Sequence, residues 1–261
     1  MSRISARSLW CLLLSLGYAL ALWHGHLQPL AGVAVALLLV AGIATSRPRL
    51  RIAGHALFIA LALALGAHWL PGFDNARMVN AIRLDADAVP FTLFLNQDKP
   101  LIGFWLLLVC PWVLGRRSRS LFTVTALLLT TVVAVLAAGY LLGVVAWSPK
   151  WPGLLWLWAA NNLLLVCIVE ELFFRGYLQE GLTRLLRHHH GATLVSLLVP
   201  TALFGLAHAG AGWQWALLAA AAGLGYGLCY RAGGLTAAVL AHFGLNLSHL
   251  LLFSYPALQV A

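Results

Sequence analysis

Charge is scarce in this chain of 261 residues. Charged residues make up 9% and hydrophobic residues 62%, against about 25% and about 45–50% in ordinary soluble domains. The mean hydropathy is +0.91. A soluble fold of this size buries only about 75% of its surface, so it could not hide so many apolar side chains. The composition therefore excludes a soluble globular protein, and the same hydrophobicity excludes intrinsic disorder.

Acidic residues are scarcer than basic ones, and the formal net charge is +9. The basic residues form short clusters between apolar stretches instead of one continuous face, which indicates membrane topology and not nucleic-acid binding. There is no CxxC pair, and all four cysteines lie inside apolar runs, so no disulfide framework is expected.

The apolar stretches are long enough for membrane helices, which need about 17–25 residues each. Nine candidates are predicted, at 8–24, 29–46, 52–70, 100–115, 120–146, 153–178, 191–208, 213–230 and 235–254. The predicted fold class is an all-α, polytopic transmembrane bundle of eight to nine helices with no soluble domain. The first stretch has the alternative of a cleaved signal peptide.

The positions of the basic residues predict how the helices are oriented across the membrane. With the N-terminus in the cytoplasm, the inner connections carry eleven Lys and Arg residues and the outer ones four, as the positive-inside rule requires. Residues 1–150 are predicted to form about five transmembrane helices with an external loop at 71–99, and residues 151–261 a C-terminal helical core. The first region contains no recognisable motif.

Polar residues inside apolar helices are costly and need a reason. Glu171 and Arg175 are four residues apart, so they share a helix face and can pair. Glu170 points about 100° away around the helix, with no basic residue at helical spacing. Apolar surroundings favour the neutral form of a carboxyl group, which makes Glu170 a candidate general base. The alternative is a purely structural ion cluster.

Two later helices supply further polar residues. His208 ends the seventh predicted helix; it lies 18 residues after His190, and Glu170 lies 18 residues before His188. In an antiparallel hairpin the two would lie at similar depth. His242 and Asn246 share a face of the ninth helix and can donate hydrogen bonds toward one point. His249, seven residues after His242, is interpreted as packing.

The chain contains no GxSxG, HExxH or HxxEH motif. A carboxylate and histidines can still bind and deprotonate a water molecule, and a second histidine with an amide can stabilise an oxyanion. The residues therefore favour amide hydrolysis without a covalent intermediate.

These motifs resemble the CPBP family of intramembrane proteases, which includes the CAAX prenyl endopeptidases, Abi proteins and bacteriocin-processing enzymes. The match lies in EELFFRG at 170–176, FGLAH at 204–208, the glycine-rich 223–235 and HFGLN at 242–246. The resemblance implies that Glu170 and His208 activate water, that His242 and Asn246 form the oxyanion hole, and that Glu171 and Arg175 support the site. A proline common before the paired glutamates is replaced here by Cys167-Ile168-Val169.

The resemblance favours a glutamic-type enzyme without a cofactor. The alternative is a zinc enzyme with Glu170, His208 and His242 as ligands. The expected partners are a membrane-anchored peptide or protein substrate and the lipid bilayer, without nucleic acid, in a bacterial inner membrane. A non-catalytic immunity or scaffold protein and a proton-coupled transporter are two further hypotheses; the complete polar set argues against the first, and the lack of inverted repeats argues against the second.

Overall fold

The computed structural model describes residue 19 and residues 22–115 and 120–259. Most of the first predicted span, 8–24, lies outside these residues. The described part is mostly helical and contains eight helices. They are α1 (Ala31–Ser46), α2 (Arg51–Gly66), α3 (Pro100–Val109), α4 (Leu121–Leu141), α5 (Leu155–Leu185), α6 (Ala192–Ala207), α7 (Trp213–Gly233) and α8 (Leu235–Leu252). Each corresponds to one of the eight later predicted spans, so these eight helix predictions are confirmed.

The apolar character of the helices agrees with a membrane protein. Helices α4, α5 and α8 are long and apolar enough to cross a bilayer by length and composition. Helices α1, α2, α3 and α6 are shorter but also apolar. Helix α3 ends just before Pro111, which begins a short 3₁₀ turn and cannot donate a backbone hydrogen bond.

The stretch 71–99, which we predict to be an external loop, contains a β-hairpin, so the fold is mostly helical and not strictly all-α. Strands β1 (Ala76–Ile82) and β2 (Phe91–Leu95) pair in a two-stranded sheet. Phe91 and Leu93 alternate along β2 and are buried, as the two-residue period of a strand requires. They pack against a cluster that includes Trp158 and Leu250, and this burial stabilises the hairpin.

The chain divides into two compact units, one formed by Met1–Met78 and Phe94–Pro111, the other by Val79–Leu93 and Trp112–Ala261. In the first, α1 packs against α2 and α3. Trp105 stacks on Phe58 with ring centroids 3.7 Å apart, and its indole Nε1 donates to the Leu38 carbonyl at 2.9 Å. An aromatic pair therefore joins α2 and α3.

In the second unit, α7 packs against α4, α6 and α8. Its glycines make close approach possible. A Cβ at Gly227 would lie 2.6 Å from Leu197 Cδ1 on α6, and a Cβ at Gly223 would lie 3.2 Å from Arg175 Nη2 on α5. The GxxxG spacing of Gly223 and Gly227 therefore allows tight helix contacts.

The segment after α8 is attached through the partly buried carboxylate of Asp85, which also forms an ion pair. Asp85, beyond β1, accepts from Lys150 Nζ at 2.9 Å and from the Tyr255 backbone N–H at 3.1 Å. Burial raises the pKa of the Tyr255 hydroxyl to about 12, and this neutral group accepts a hydrogen bond from Trp158 Nε1 at 2.9 Å. The hairpin, α5 and the chain end are thus joined beside the end of α8.

Candidate active site

Helix α5 carries the paired glutamates between two stretches of wider winding. Asn162–Cys167 and Leu172–Gln179 are π-helical, and the short α-helical turn Ile168–Glu171 lies between them. Single π-helical turns are rare in proteins, but many of those that occur lie at functional sites. A π turn changes which side chains of a helix face one another. The winding therefore sets the directions of Glu170 and Glu171.

Glu171 is the centre of a buried ionic cluster. Its Oε1 accepts from Arg175 Nη1 at 3.0 Å and lies 2.9 Å from His242 Nδ1. Arg175 Nη2 donates to the Gly223 carbonyl at 2.9 Å, and its guanidinium carbon lies 4.7 Å from the centroid of the Phe204 ring. The predicted pairing of Glu171 with Arg175 is confirmed. The cluster joins α5, α7 and α8 around charges that have no access to solvent.

One cavity of about 160 Å³ is lined by all four predicted catalytic residues: Glu170 from α5, His208 from the end of α6, and His242 and Asn246 from α8. Side chains up to 76 residues apart in sequence, from Glu170 to Asn246, therefore meet at one cavity. The volume is enough for several water molecules. Glu171 and Arg175 lie behind this wall.

His208 has a defined hydrogen-bonding state. Its Nδ1 lies 2.8 Å from the Phe204 carbonyl oxygen. A carbonyl oxygen can only accept, so Nδ1 carries the proton and donates. In the neutral imidazole Nε2 is then left as an acceptor for a water hydrogen.

Asn246 and His242 are each held by a second residue. Asn246 Nδ2 donates to Asn162 Oδ1 at 3.2 Å. The His242 ring stacks on Tyr226, with centroids 4.6 Å apart and an angle of 16° between the planes. His242 also lies against Glu171, a contact that sequence spacing did not indicate.

Several lining residues were missed by the sequence analysis. Tyr226 and Trp215 of α7 and three residues of α4 line the cavity. His249, interpreted as packing, also lines it; its ring nitrogen Nε2 lies 3.2 Å from the Ser254 carbonyl. The α4 residues, Val135, Leu136 and Gly139, give no chemical signal in the sequence because they are ordinary apolar residues.

The segment that carries these four polar residues matches a known family. Residues 151–248 match the model of the type II CAAX prenyl endopeptidase Rce1-like family. This segment is Rce1-like. The family is one of peptidases, and all six predicted site residues fall inside the Rce1-like segment. No curated protein and no solved structure matches the chain.

Zinc at this site would need Glu170, His208 and His242 as ligands. Across residues 22–115 and 120–259, no group of three or more His, Cys, Asp or Glu side chains is arranged to hold a metal ion. His242 directs Nδ1 at Glu171, so Nε2 is the ring nitrogen that remains for a metal ion. The zinc alternative with Glu170, His208 and His242 as ligands stays a prediction.

Proposed function

We propose that the chain is an integral membrane endopeptidase that hydrolyses a peptide bond of a membrane-anchored peptide or protein. The observation that carries the proposal is the cavity shared by Glu170, His208, His242 and Asn246 within a segment of a peptidase family. Hydrolysis of a peptide bond in this cavity requires two functions: activation of a water molecule and stabilisation of the developing oxyanion.

Glu170 is the proposed general base, with His208 as its partner. The free Nε2 of His208 accepts one hydrogen of a water molecule and orients its oxygen, while the Glu170 carboxylate takes the other proton. The water oxygen then bonds to the substrate carbonyl carbon. When the carbon–nitrogen bond breaks, Glu170 returns its proton to the leaving amine, so protons balance over the cycle.

His242 and Asn246 are the proposed oxyanion donors. His242 donates through Nδ1 to Glu171, so its Nε2, when protonated, is available to the cavity. Asn246 Nδ2 donates to Asn162 Oδ1 and, at longer distance, to Cys167 Sγ; the amide carries two hydrogens, and we propose that one of them is donated to the oxyanion. Glu171 and Arg175 support these groups without lining the cavity. Glu171 fixes the His242 ring, and Arg175 balances the charge of Glu171.

The surroundings favour a substrate that reaches the cavity within the bilayer. Apolar helices surround the site, and the distribution of Lys and Arg favours a cytoplasmic N-terminus. We propose a bacterial inner membrane as the location. We propose eight to nine transmembrane helices, with residues 151–261 as the catalytic core and 1–150 as an N-terminal membrane region. No cofactor is needed for the steps above.

Cleavage of a transmembrane peptide library by purified protein in detergent tests the proposal. We expect wild type to cleave and Glu170→Gln to lose activity by at least about 10³-fold, since the base is removed while size is kept. A strong chelator should leave the wild-type rate unchanged. Equal activity of Glu170→Gln and wild type would contradict the mechanism. Loss of wild-type activity on chelation, with recovery when zinc is added, would replace it with a metal mechanism.

A further inference from the structure

The first π-helical turn of α5 brings together two residues that a regular helix would separate. Asn162 and Cys167 are five residues apart, and the Cys167 thiol Sγ donates to Asn162 Oδ1 at 3.2 Å. Residues five apart in an α-helix lie about 140° from one another around the axis. The wider π winding puts both on the side that faces α8.

This pair contacts the amide of Asn246. Asn246 Nδ2 donates to the same Asn162 Oδ1 at 3.2 Å and, more weakly, to Cys167 Sγ at 3.8 Å. Asn162 Oδ1 therefore accepts from two donors, one on its own helix and one on α8. Asn162 is 9% exposed and Cys167 is fully buried, so water does not compete for these hydrogen bonds.

The arrangement favours one of the two orientations of the Asn246 amide. In the opposite orientation, rotated by half a turn, the Asn246 oxygen would lie against the Asn162 oxygen, and two acceptors would meet without a hydrogen. Rotation of Asn162 would relieve that conflict, but it would break the hydrogen bond from the Cys167 thiol. The Cys167 thiol and the Asn162 side-chain carbonyl thus together determine the orientation of the Asn246 amide.

We propose that Asn162 is a positioning residue for hydrolysis: it holds the Asn246 amide so that an N–H, and not the carbonyl oxygen, is presented to the cavity. Cys167 in turn fixes Asn162. The inference rests on the proposed function, because it requires Asn246 to be an oxyanion donor. It adds to that function two residues of the first π-helical turn that do not line the cavity themselves.

Asn161 provides a matched control. It has the same side chain, is the preceding residue of α5, and is equally buried at 8% exposure. Its Oδ1 has no hydrogen-bond partner in the described part of the chain, and it does not line the cavity. A loss of packing or of helix propensity would affect Asn161→Ala and Asn162→Ala alike.

The test is a double-mutant cycle of peptide hydrolysis with Asn162→Ala, Asn246→Ala and the combination. Removing an oxyanion donor costs about 10²–10³-fold in kcat, which we expect for Asn246→Ala. For Asn162→Ala we expect kcat to fall about tenfold with KM unchanged, the effect of one lost orienting hydrogen bond. The combined variant should be no slower than Asn246→Ala, because Asn162 acts only through Asn246.

A second pair of variants does not depend on the stability of Asn162→Ala. Cys167→Ala should lower kcat about threefold, since a thiol is a weak donor, and Cys167→Ser should restore it. The Cys167 sulfur also interacts with His242, so this pair reports on both groups. The apparent Tm in detergent is measured for every variant, including Asn161→Ala.

The outcomes separate the inference from the function on which it rests. Additive losses in the combined variant, or equal losses of kcat in Asn161→Ala and Asn162→Ala, would overturn the positioning role while leaving Asn246 as a donor. Full activity of Asn246→Ala would contradict the proposed function itself, and the inference with it. A lower kcat for Asn162→Ala alone, non-additive with Asn246→Ala, would support both.

Discussion

Two neighbouring glutamates occupy different environments. Glu170 lines the cavity, whereas Glu171 is fully buried against Arg175 and His242. The difference arises because adjacent helical residues point about 100° apart. The same substitution at the two positions should therefore have different consequences.

Glu171→Gln should destabilise the protein, and Glu170→Gln should not. Removing the Glu171 charge leaves Arg175 buried at 1% exposure without its carboxylate, and breaking a buried ion pair costs about 3–5 kcal/mol. The measurement is the apparent Tm of both variants in the same detergent. Similar Tm values would contradict the role assigned to the cluster, and the peptidase assay on the same samples gives the activity of each.

Residue contacts were predictable from the sequence only where regular helical spacing holds. The pair of Glu171 and Arg175 followed from four-residue spacing, and the nearness of Glu170 and His208 was expected from their similar depth in an antiparallel hairpin. The contact of Asn162 with Cys167 was not, because five-residue neighbours arise only when a helix leaves regular winding. The contact of His242 with Glu171 depends on helix rotation, which a single sequence does not specify.

Among the elements, α7 depends most on small residues. Its glycines face different neighbours, so Gly227 meets α6 and Gly225 meets Thr131 of α4. Thr131 is buried, and its hydroxyl donates to the Leu127 carbonyl at 2.7 Å. Neither neighbour leaves room for a methyl group.

Gly225→Ala should lower stability by about 1–3 kcal/mol, because the new Cβ would overlap the Thr131 side chain. Gly210→Ala is the control, since nothing lies within 4 Å of its Cβ position. The apparent Tm in detergent is compared for both, and for Gly225→Ala combined with Thr131→Ala. Partial recovery in the combined variant is expected; an unchanged Tm in Gly225→Ala would show that α4 and α7 can separate without cost.

Element positions were largely predictable from hydropathy, because each apolar run is bounded by charged, glycine or proline residues. The hairpin was not. Its strands are short, and β1 is mostly exposed, so its sequence has no strong two-residue hydrophobic period. The burial of Phe91 and Leu93 depends on partners from α5 and α8, more than 60 residues away in sequence.

For the whole molecule, the bilayer explains the apolar residues that remain exposed. Large hydrophobic side chains such as Phe122, Leu141 and Trp156 are more than three-quarters exposed, which would be costly in water. The distribution of the basic residues predicts the direction of the helices in the membrane. The orientation of the segments that connect the helices can be tested independently of catalysis.

Single introduced cysteines should report this orientation. His189 lies in the exposed turn between α5 and α6, and Asp87 is exposed between β1 and β2. In intact cells a membrane-impermeant maleimide should label Asp87→Cys, whereas His189→Cys should be labelled only after permeabilisation. The Cys11→Ala chain is the background for both, because the three remaining cysteines, Cys110, Cys167 and Cys229, are buried. The reverse pattern would mean an inverted topology.

The winding of α5 has a consequence for how this protein is compared with others. A π-helical turn holds one residue more than the α-helical turn it replaces. Loss of a single residue between Asn162 and Cys167 would allow regular winding, and it would turn Asn162 by about 100° relative to Glu170. An insertion or deletion in this helix therefore rotates Asn162 relative to Glu170. An alignment with relatives needs to permit a one-residue gap inside an unbroken helix.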